Sequence, residues 1–405
     1  MIKRTSVLLL ALCLFLGGCA QTASPPTVTT TTTTTAPPAT KIERRCVWIS
    51  YFELNTAFSA CETAKDAEEA IDAMMDTVQA AKMNTVFFHV RANSDAYYPS
   101  ALFKAAASVS KLIQNGFDPL AYAVEAAHRR DIELHAWINP YRVGKDAQYL
   151  AEGQKTLQDE AGRYYYVPTS SSAQHLILDG VREVLQYDVD GIQYDDYFYP
   201  QNVLQNETVS PFEEDDYTRY QSEGGTLSVG DWRRAAVDSL VAGTHALTKT
   251  AGAVFGISPS HDAQKTYTAL YADSKKWLAQ SGYVDYLCPQ LYVGFDNESA
   301  AFSELADTWA AYPRDKSVSL YVGLALYKIG LKTDVWAGTS GQHEWQTHSD
   351  VIKRQVVYAR SRGFDGVCFY SFSYLDPQRY ATAELLKNND VTVAKQEIEN
   401  LLTVL

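Results

Sequence analysis

From Arg45 onward the chain alternates two hydrophobic patterns. Short apolar runs rich in β-branched and aromatic residues predict strands, and longer stretches with apolar positions every three to four residues predict helices. The strands expected are Arg45–Tyr51, Thr85–Val90, Ile132–Ile138, Val189–Tyr194, Ala253–Ser258, Val284–Leu287, Val318–Leu324 and Gly366–Phe372. Helices are expected over Ala67–Lys82, Pro119–Arg130, Leu176–Tyr187, Trp232–Lys249 and Val351–Arg362. In the first of these Ile71, Met74, Met75 and Val78 share one face. Eight strands with helical runs between them fit an α/β fold, a single (β/α)8 barrel with insertions in the loops after its strands. No short repeat suggests a solenoid.

The polar residues gather after the strands rather than before them. Glu53, Arg91, Asn139, Tyr141, Asp195, Asp196, Asp262, Gln290, Tyr292 and Tyr370 all fall at or just past a C-terminal strand end. Barrels of this class keep their chemistry at that rim. The centre of the pattern is V-D-G-I-Q-Y-D-D-Y-F-Y-P, Val189–Pro200. Alternation puts Gln193 and Asp195 on one strand face, with Ile192 and Tyr194 on the other. A plain alternative is that Asp195 and Asp196 cap a helix or hold a turn. His89, His135 and His261 lie in or near strands, where a hydrogen-bonded packing role is the default, and His261 beside Asp262 stays open as a site residue. Trp137 and Tyr194 are expected to pack the barrel.

The N-terminus carries a different signal. Met1–Gly18 has basic Lys3 and Arg4, an apolar run from Val7 to Leu16, then small residues, the anatomy of a secretory signal peptide too short to span a membrane. It ends Leu16-Gly17-Gly18-Cys19, which resembles the lipobox of bacterial lipoproteins and implies cleavage before Cys19 and lipid on its thiol. Residues 19–42 then form a Thr/Pro-rich linker, with Thr29–Thr35 unbroken, that has too little apolar area to fold. Fully extended at about 3 Å per residue, it reaches roughly 60 Å from a membrane. The expected domains are therefore 1–18 signal, 19–42 lipidated linker, 43–390 barrel and 391–405 a C-terminal helix packed on the barrel. The expected location is the outer face of the bacterial cell membrane.

Losing the signal removes Lys3 and Arg4 and no acid, taking the formal charge from -13 to -15. That acidity argues against nucleic acid and anionic headgroups as partners. Cys46, Cys288 and Cys368 fall in or at the ends of strands, so with Cys61 they read as free thiols rather than a disulfide framework. No C-x-x-C or H-E-x-x-H pattern occurs, so no metal site or cofactor is expected, and the expected form is a monomer.

Several motifs together resemble the glycosyl-hydrolase-like family 10 of bacterial lipoproteins. They are R-C-V-W-I-S from Arg45, H-A-W-I-N-P-Y-R (His135–Arg142), D-V-D-G-I-Q-Y-D-D-Y-F-Y-P, D-W-R-R (Asp231–Arg234), G-I-S-P (Gly256–Pro259), C-P-Q-L-Y from Cys288, and G-V-C-F-Y-S-F from Gly366. The similarity runs from about Arg45 to Pro377. Val293 stands where the family often has Trp, and Ala236 stands near where it often has Asn. The resemblance implies a (β/α)8 barrel that hydrolyses exported glycans, with peptidoglycan or a related wall polysaccharide as substrate.

Glycoside hydrolysis generally uses two carboxyl groups. Asp195 is the first expected, with Asp196 raising its proton affinity or holding its loop, and Glu53 or Asp262 as the second. Arg91, Asn139, Tyr141, Gln290, Tyr292, His261, Asp262 and Tyr370 are expected to bind sugar hydroxyls or orient carboxylates. Two alternatives remain open. The run faintly resembles D-G-x-D-x-D-x-E of chitinase-type barrels, where the substrate's N-acetyl group is the nucleophile, with Tyr197 in place of the glutamate. The other is a non-catalytic carbohydrate-binding barrel. A divalent cation on the Asp pair ranks below direct acid/base work.

Overall fold

The computed structural model describes residues 42–196, 198–200, 208–377, 379 and 387–405. The signal peptide, Cys19 and the linker through residue 41 lie outside the described residues, as does Tyr197. Among the described residues, no helix is long and apolar enough to cross a membrane.

Eight parallel strands close into a barrel: β1 (Arg44–Ile49), β2 (Thr85–Arg91), β3 (Glu133–Ile138), β4 (Gly191–Tyr194), β5 (Val254–Ile257), β6 (Tyr286–Leu287), β7 (Ser319–Ala325) and β8 (Gly366–Tyr370). Each pairs with its sequence neighbours, and β8 closes on β1 through Cys46↔Cys368 and Val47↔Phe369. Around them stand α1 (Tyr51–Ser59), α2 (Ala64–Ala80), α3 (Pro119–His128), α4 (Ser171–Val184), α5 (Val229–Ala251), α6 (Phe302–Ala311), α7 (Val351–Ser361) and α8 (Val391–Leu402), with shorter helical segments between. The (β/α)8 expectation is met, and the eight strand positions agree to within a few residues.

Strand alternation sorts the core into two layers. Outward residues such as Val47, Val86, Ala136, Ile192 and Phe255 meet the helices, where α2 contributes Ile71, Met74, Met75 and Val78. Burying each of those four stabilises the fold by roughly 1.5–3 kcal/mol. Inward residues form a separate cluster of Cys46, Trp48, Phe87, Trp137, Tyr286, Cys288, Tyr321 and Cys368. This interior is solid because two inward positions lack a side chain. A Cβ on Gly256 would lie 2.1 Å from the Tyr286 ring, and one on Gly191 would lie 2.8 Å from the His135 ring. The four cysteines of the barrel unit are free thiols.

Three local features depart from the sequence pattern. The first strand stops at Ile49 rather than Tyr51, because Ser50 and Glu53 make a capping box that starts α1 at Tyr51. The long β3–β4 connection folds into an antiparallel sheet of Arg142–Gly144, Thr156–Gln158 and Tyr164–Tyr166. The D-W-R-R motif proves to be an anchor at the start of α5. Arg233 and Glu213 form an ion pair with both side chains fully buried, and Arg233 also donates to the Tyr271 hydroxyl and the Thr208 carbonyl, each at 2.9 Å. This pair ties the described residues from Thr208 to Glu213 to the start of α5. At the other end of the chain, Glu397 of α8 accepts the Val351 and Ile352 N–H groups at 3.0 and 2.7 Å, so α8 caps α7.

Candidate active site

The C-terminal mouth of the barrel holds a cleft of about 310 Å³. Asp195 is its carboxylate. It follows the last residue of β4, continues the inward parity of Gln193, and is only 8% exposed. Its Oδ1 accepts the Asp196 N–H at 2.9 Å and the Gln290 Nε2–H at 3.2 Å. Gln290 also donates to the Ser258 carbonyl at 2.9 Å, while Gln193 beneath donates to the Ser258 hydroxyl at 2.8 Å. A chain of amides and one hydroxyl thus carries the carboxylate upward from the barrel interior.

Burial raises the proton affinity of Asp195, against the hydrogen bonds from Asp196 and Gln290 and the charge of Arg142. Asp196 is pushed further, well above the usual carboxylate range, by burial and by the charge of Asp195 with which it shares a hydrogen bond. Two carboxyls in such contact oppose each other's ionisation, so they titrate as a unit. Asp195 faces the cleft, whereas Asp196, half-buried, does not line it.

Aromatic rings wall the cleft. Tyr292 and Tyr370 stack at 5.9 Å, with Tyr327 edge-on to both at 5.9 and 6.1 Å. Burial keeps the Tyr292 hydroxyl protonated, the charge of Asp195 adding to it, and burial does the same for Tyr370, assisted by Glu53 and Asp195. Both are therefore donors beside the carboxylate. In the same lining His89 stacks on Trp137 at 3.6 Å, and Trp137 in turn lies edge-on to Tyr370 at 6.4 Å. Burial and the Arg142 charge hold His89 well below the usual histidine range, so the ring is neutral. Its Nδ1 accepts the Tyr51 N–H at 3.3 Å, which places the ring proton on Nε2. Nε2 and the Asn139 Oδ1 are buried without a hydrogen-bond partner among the described residues. Among those residues, no group of three or more His, Cys, Asp or Glu is arranged to hold a metal ion.

The sequence profile of Glycosyl hydrolase-like 10 matches residues 43–337. The chain belongs to that family. It is 32% identical over 324 residues to "Glycosyl hydrolase YngK" of Bacillus subtilis, covering 72% of this chain and 62% of that one. To "Glycosyl hydrolase DigH" of Escherichia coli K12 it is 30% identical over 333 residues, 72% of each chain. The chain thus spans less than two thirds of the Bacillus protein's length. Among solved structures, the PgaB glycoside hydrolase domain of Bordetella bronchiseptica superposes with a TM-score of 0.52 at 12% identity, over 89% of this chain and 99% of that one. That likeness is one of fold. At the family level this is a glycosidase-like barrel.

Within this family member, the structure brings Asp195, Asn139, Gln290, Tyr292 and Tyr370 to one cleft, with Asp196 in contact with Asp195 but outside the lining. Five other expected residues are placed elsewhere. Glu53 is the third residue of α1. One of its oxygens accepts the Ser50 N–H at 2.9 Å and also bonds the Ser50 hydroxyl, while the other accepts from the Ser371 and Ser373 hydroxyls. It clamps the β1 and β8 loops together and does not line the cleft. Arg91 points outward instead of in: the β2–β3 register slips between His89 and Arg91, which reverses its parity. Its guanidinium stacks on Phe103 at 4.5 Å and donates to the Pro140 carbonyl at 3.0 Å. Tyr141 is wholly buried, edge-on to Phe198. Asp262 caps the helix Ala263–Ala269 through the Gln264 and Lys265 N–H groups, both at 2.9 Å. His261 is exposed and lines a neighbouring groove, not the cleft.

Sequence reasoning missed Tyr51, Phe52, Arg142 and Tyr327, and gave His89 and Trp137 only a packing role, whereas all six line the cleft. For Arg142 a signal existed, since it ends the N-P-Y-R run. The turn at Pro140 resets the alternation and brings Arg142, not Tyr141, to the mouth.

Proposed function

We propose that this protein is an exported, lipid-anchored glycoside hydrolase that cleaves a cell-wall glycan, peptidoglycan strand or related polysaccharide. The observation that carries the reading is the buried Asp195 carboxylate, held by the Asp196 N–H and the Gln290 amide on the wall of an aromatic cleft, at the rim where such barrels place their chemistry. Asp195 delivers the proton of the pair to the leaving glycosidic oxygen, and the water that completes hydrolysis returns a proton to it. Tyr292 and Tyr370 stabilise the carboxylate that remains by donating to it or to the sugar beside it. Flat rings at Trp137, Tyr292 and Tyr370 suit the C–H faces of pyranoses, and the acidity of the chain favours a neutral polymer over an anionic one. The tether rests on the Leu16–Cys19 lipobox and the Thr/Pro-rich linker.

A second reading of the nucleophile rests on Glu53. With its oxygens already taken by the Ser50 N–H and by three serine hydroxyls, the substrate's own 2-acetamido oxygen becomes the candidate for attack on the anomeric carbon.

The deciding assay is release of soluble fragments from peptide-stripped peptidoglycan and a panel of wall polysaccharides, comparing the protein with Asp195→Asn. Release by the parent, with none by a folded variant that still binds, is the expected result. Binding by both with no release from any glycan would overturn the hydrolase reading and leave a carbohydrate-binding barrel.

A further inference from the structure

Beside the cleft runs a second groove of about 340 Å³, and the two share Gln290 and Tyr292. Gln290 is the residue whose amide holds Asp195, so the groove opens beside the reactive carboxylate. Its outer edge is Trp336, 82% exposed, the most solvent-exposed large apolar side chain among the described residues. An indole left in water costs free energy unless something covers it.

The segment that carries Trp336 is firmly held. Lys328 and Asp334 form a buried ion pair at 2.6 Å. The other Asp334 oxygen accepts the Trp336 N–H at 3.2 Å. The Trp336 carbonyl accepts from the buried Asn297 amide at 3.4 Å, and the Ala337 carbonyl accepts the Glu298 N–H at 3.0 Å. The backbone is thus fixed on both sides of a ring that stands 82% exposed. Polar Ser260, His261 and Ser299 line the same groove. One rigid flat face with a few hydroxyl and imidazole groups is what recognises a pyranose: stacking on its C–H face and hydrogen bonds to its rim.

We propose that this groove is a saccharide subsite, in which Trp336 stacks a sugar ring of the same glycan chain, beyond the residue held at Asp195. The occupant is fixed by continuity: a polymer leaving the cleft past Gln290 and Tyr292 enters the groove directly. The inference rests on the glycan reading above and extends it to substrate length.

The test uses the full chain carrying Asp195→Asn, which binds without cutting, with and without Trp336→Ala. Affinity is measured by calorimetry for a ladder of peptide-free glycan oligosaccharides from disaccharide upward. The Trp336→Ala change is expected to leave the shortest ligand unaffected and to weaken the longer ones by roughly tenfold, with Trp336→Tyr recovering most of it. Equal affinities for both forms at every length overturn the subsite and leave the glycan reading intact. Equal weakening at every length also overturns it, because Trp336 would then act on the cleft itself. Absence of binding at any length in the Asp195→Asn parent overturns both. Thermal melts of the variants check the fold, which an exposed side chain is not expected to change.

Discussion

The Gln290 amide bridges Asp195 Oδ1, at 3.2 Å, and the Ser258 carbonyl, at 2.9 Å, tying the strand end after β6 to the carboxylate after β4. This donor favours the ionised form of Asp195 against the burial that opposes it. Replacing Gln290 by Leu removes the donor while keeping the volume. The proton of the Asp pair is then held more tightly, so the alkaline limb of kcat/KM, where the acid loses it, moves to higher pH, with activity on the plateau falling about tenfold. A limb that stays in place, or moves down, would show that Gln290 does not act through Asp195.

Glu53 separates a clamp from a catalyst. Glu53→Gln is expected to cost about 0.5–2 kcal/mol of stability, the range for a lost helix cap. Its kcat should fall by less than roughly tenfold, against roughly 10²–10⁴ for the loss of an acid/base group at Asp195. Denaturant melts and steady-state kinetics on the two variants decide this. A Glu53→Gln protein with normal stability and an Asp195-sized loss of kcat would return Glu53 to the chemistry.

The Arg233–Glu213 pair has no water to fall back on, both side chains being fully buried. Truncating either to Ala strands a charge in the interior and should cost about 3–5 kcal/mol in urea unfolding. Because the partners act together, the double variant should lose clearly less than the sum. Additive losses would mean that the pair is not the unit that ties residues 208–213 to α5.

Much of this arrangement was legible in the sequence, and the misses have local causes. Apolar runs bounded by Gly, Pro and Asp located the strands because a barrel strand must be apolar on its outer face whatever its loops do. The Asp195 environment was readable because β4 is regular up to the carboxylate, so alternation holds. At Arg91 alternation fails: the register slip after His89 is a property of pairing with β3, and no residue type announces it. At Glu53 the signal was present and misread, since S-Y-F-E from Ser50 is a capping-box spacing. Trp336 could not be placed from sequence, as it lies on an irregular segment set by the Lys328–Asp334 pair six residues apart.

Acid and base should act on the fold through Glu397. Burial pushes its carboxyl up to about 7 from an ordinary 4.5, against the hydrogen bonds from Ile352 and Val351. Folding therefore favours its neutral form. Its stabilising contribution is complete below the ordinary carboxylate range and is lost as pH rises through about 7, amounting to about 3 kcal/mol across that window. In Glu397→Gln this slope should vanish, while the overall level drops by about 1–3 kcal/mol because an amide cannot accept both N–H groups. Unfolding curves of the two proteins at a series of pH values check it. A difference between them that is independent of pH would exclude Glu397 as the source.

The aromatic filling that Gly191 and Gly256 admit makes the barrel a cul-de-sac. Nothing passes from the mouth to the far side, because Tyr286, Phe87 and Trp48 fill the passage. On the proposed glycan reading, a long polymer then meets Asp195 by lying across the opening or by dipping one end into it, never by threading. Whichever linkage is placed over the carboxylate, the pieces must leave by the doorway through which the whole arrived. Departure of the fragment and entry of the next stretch then compete for the same space, and the rings along the rim govern both.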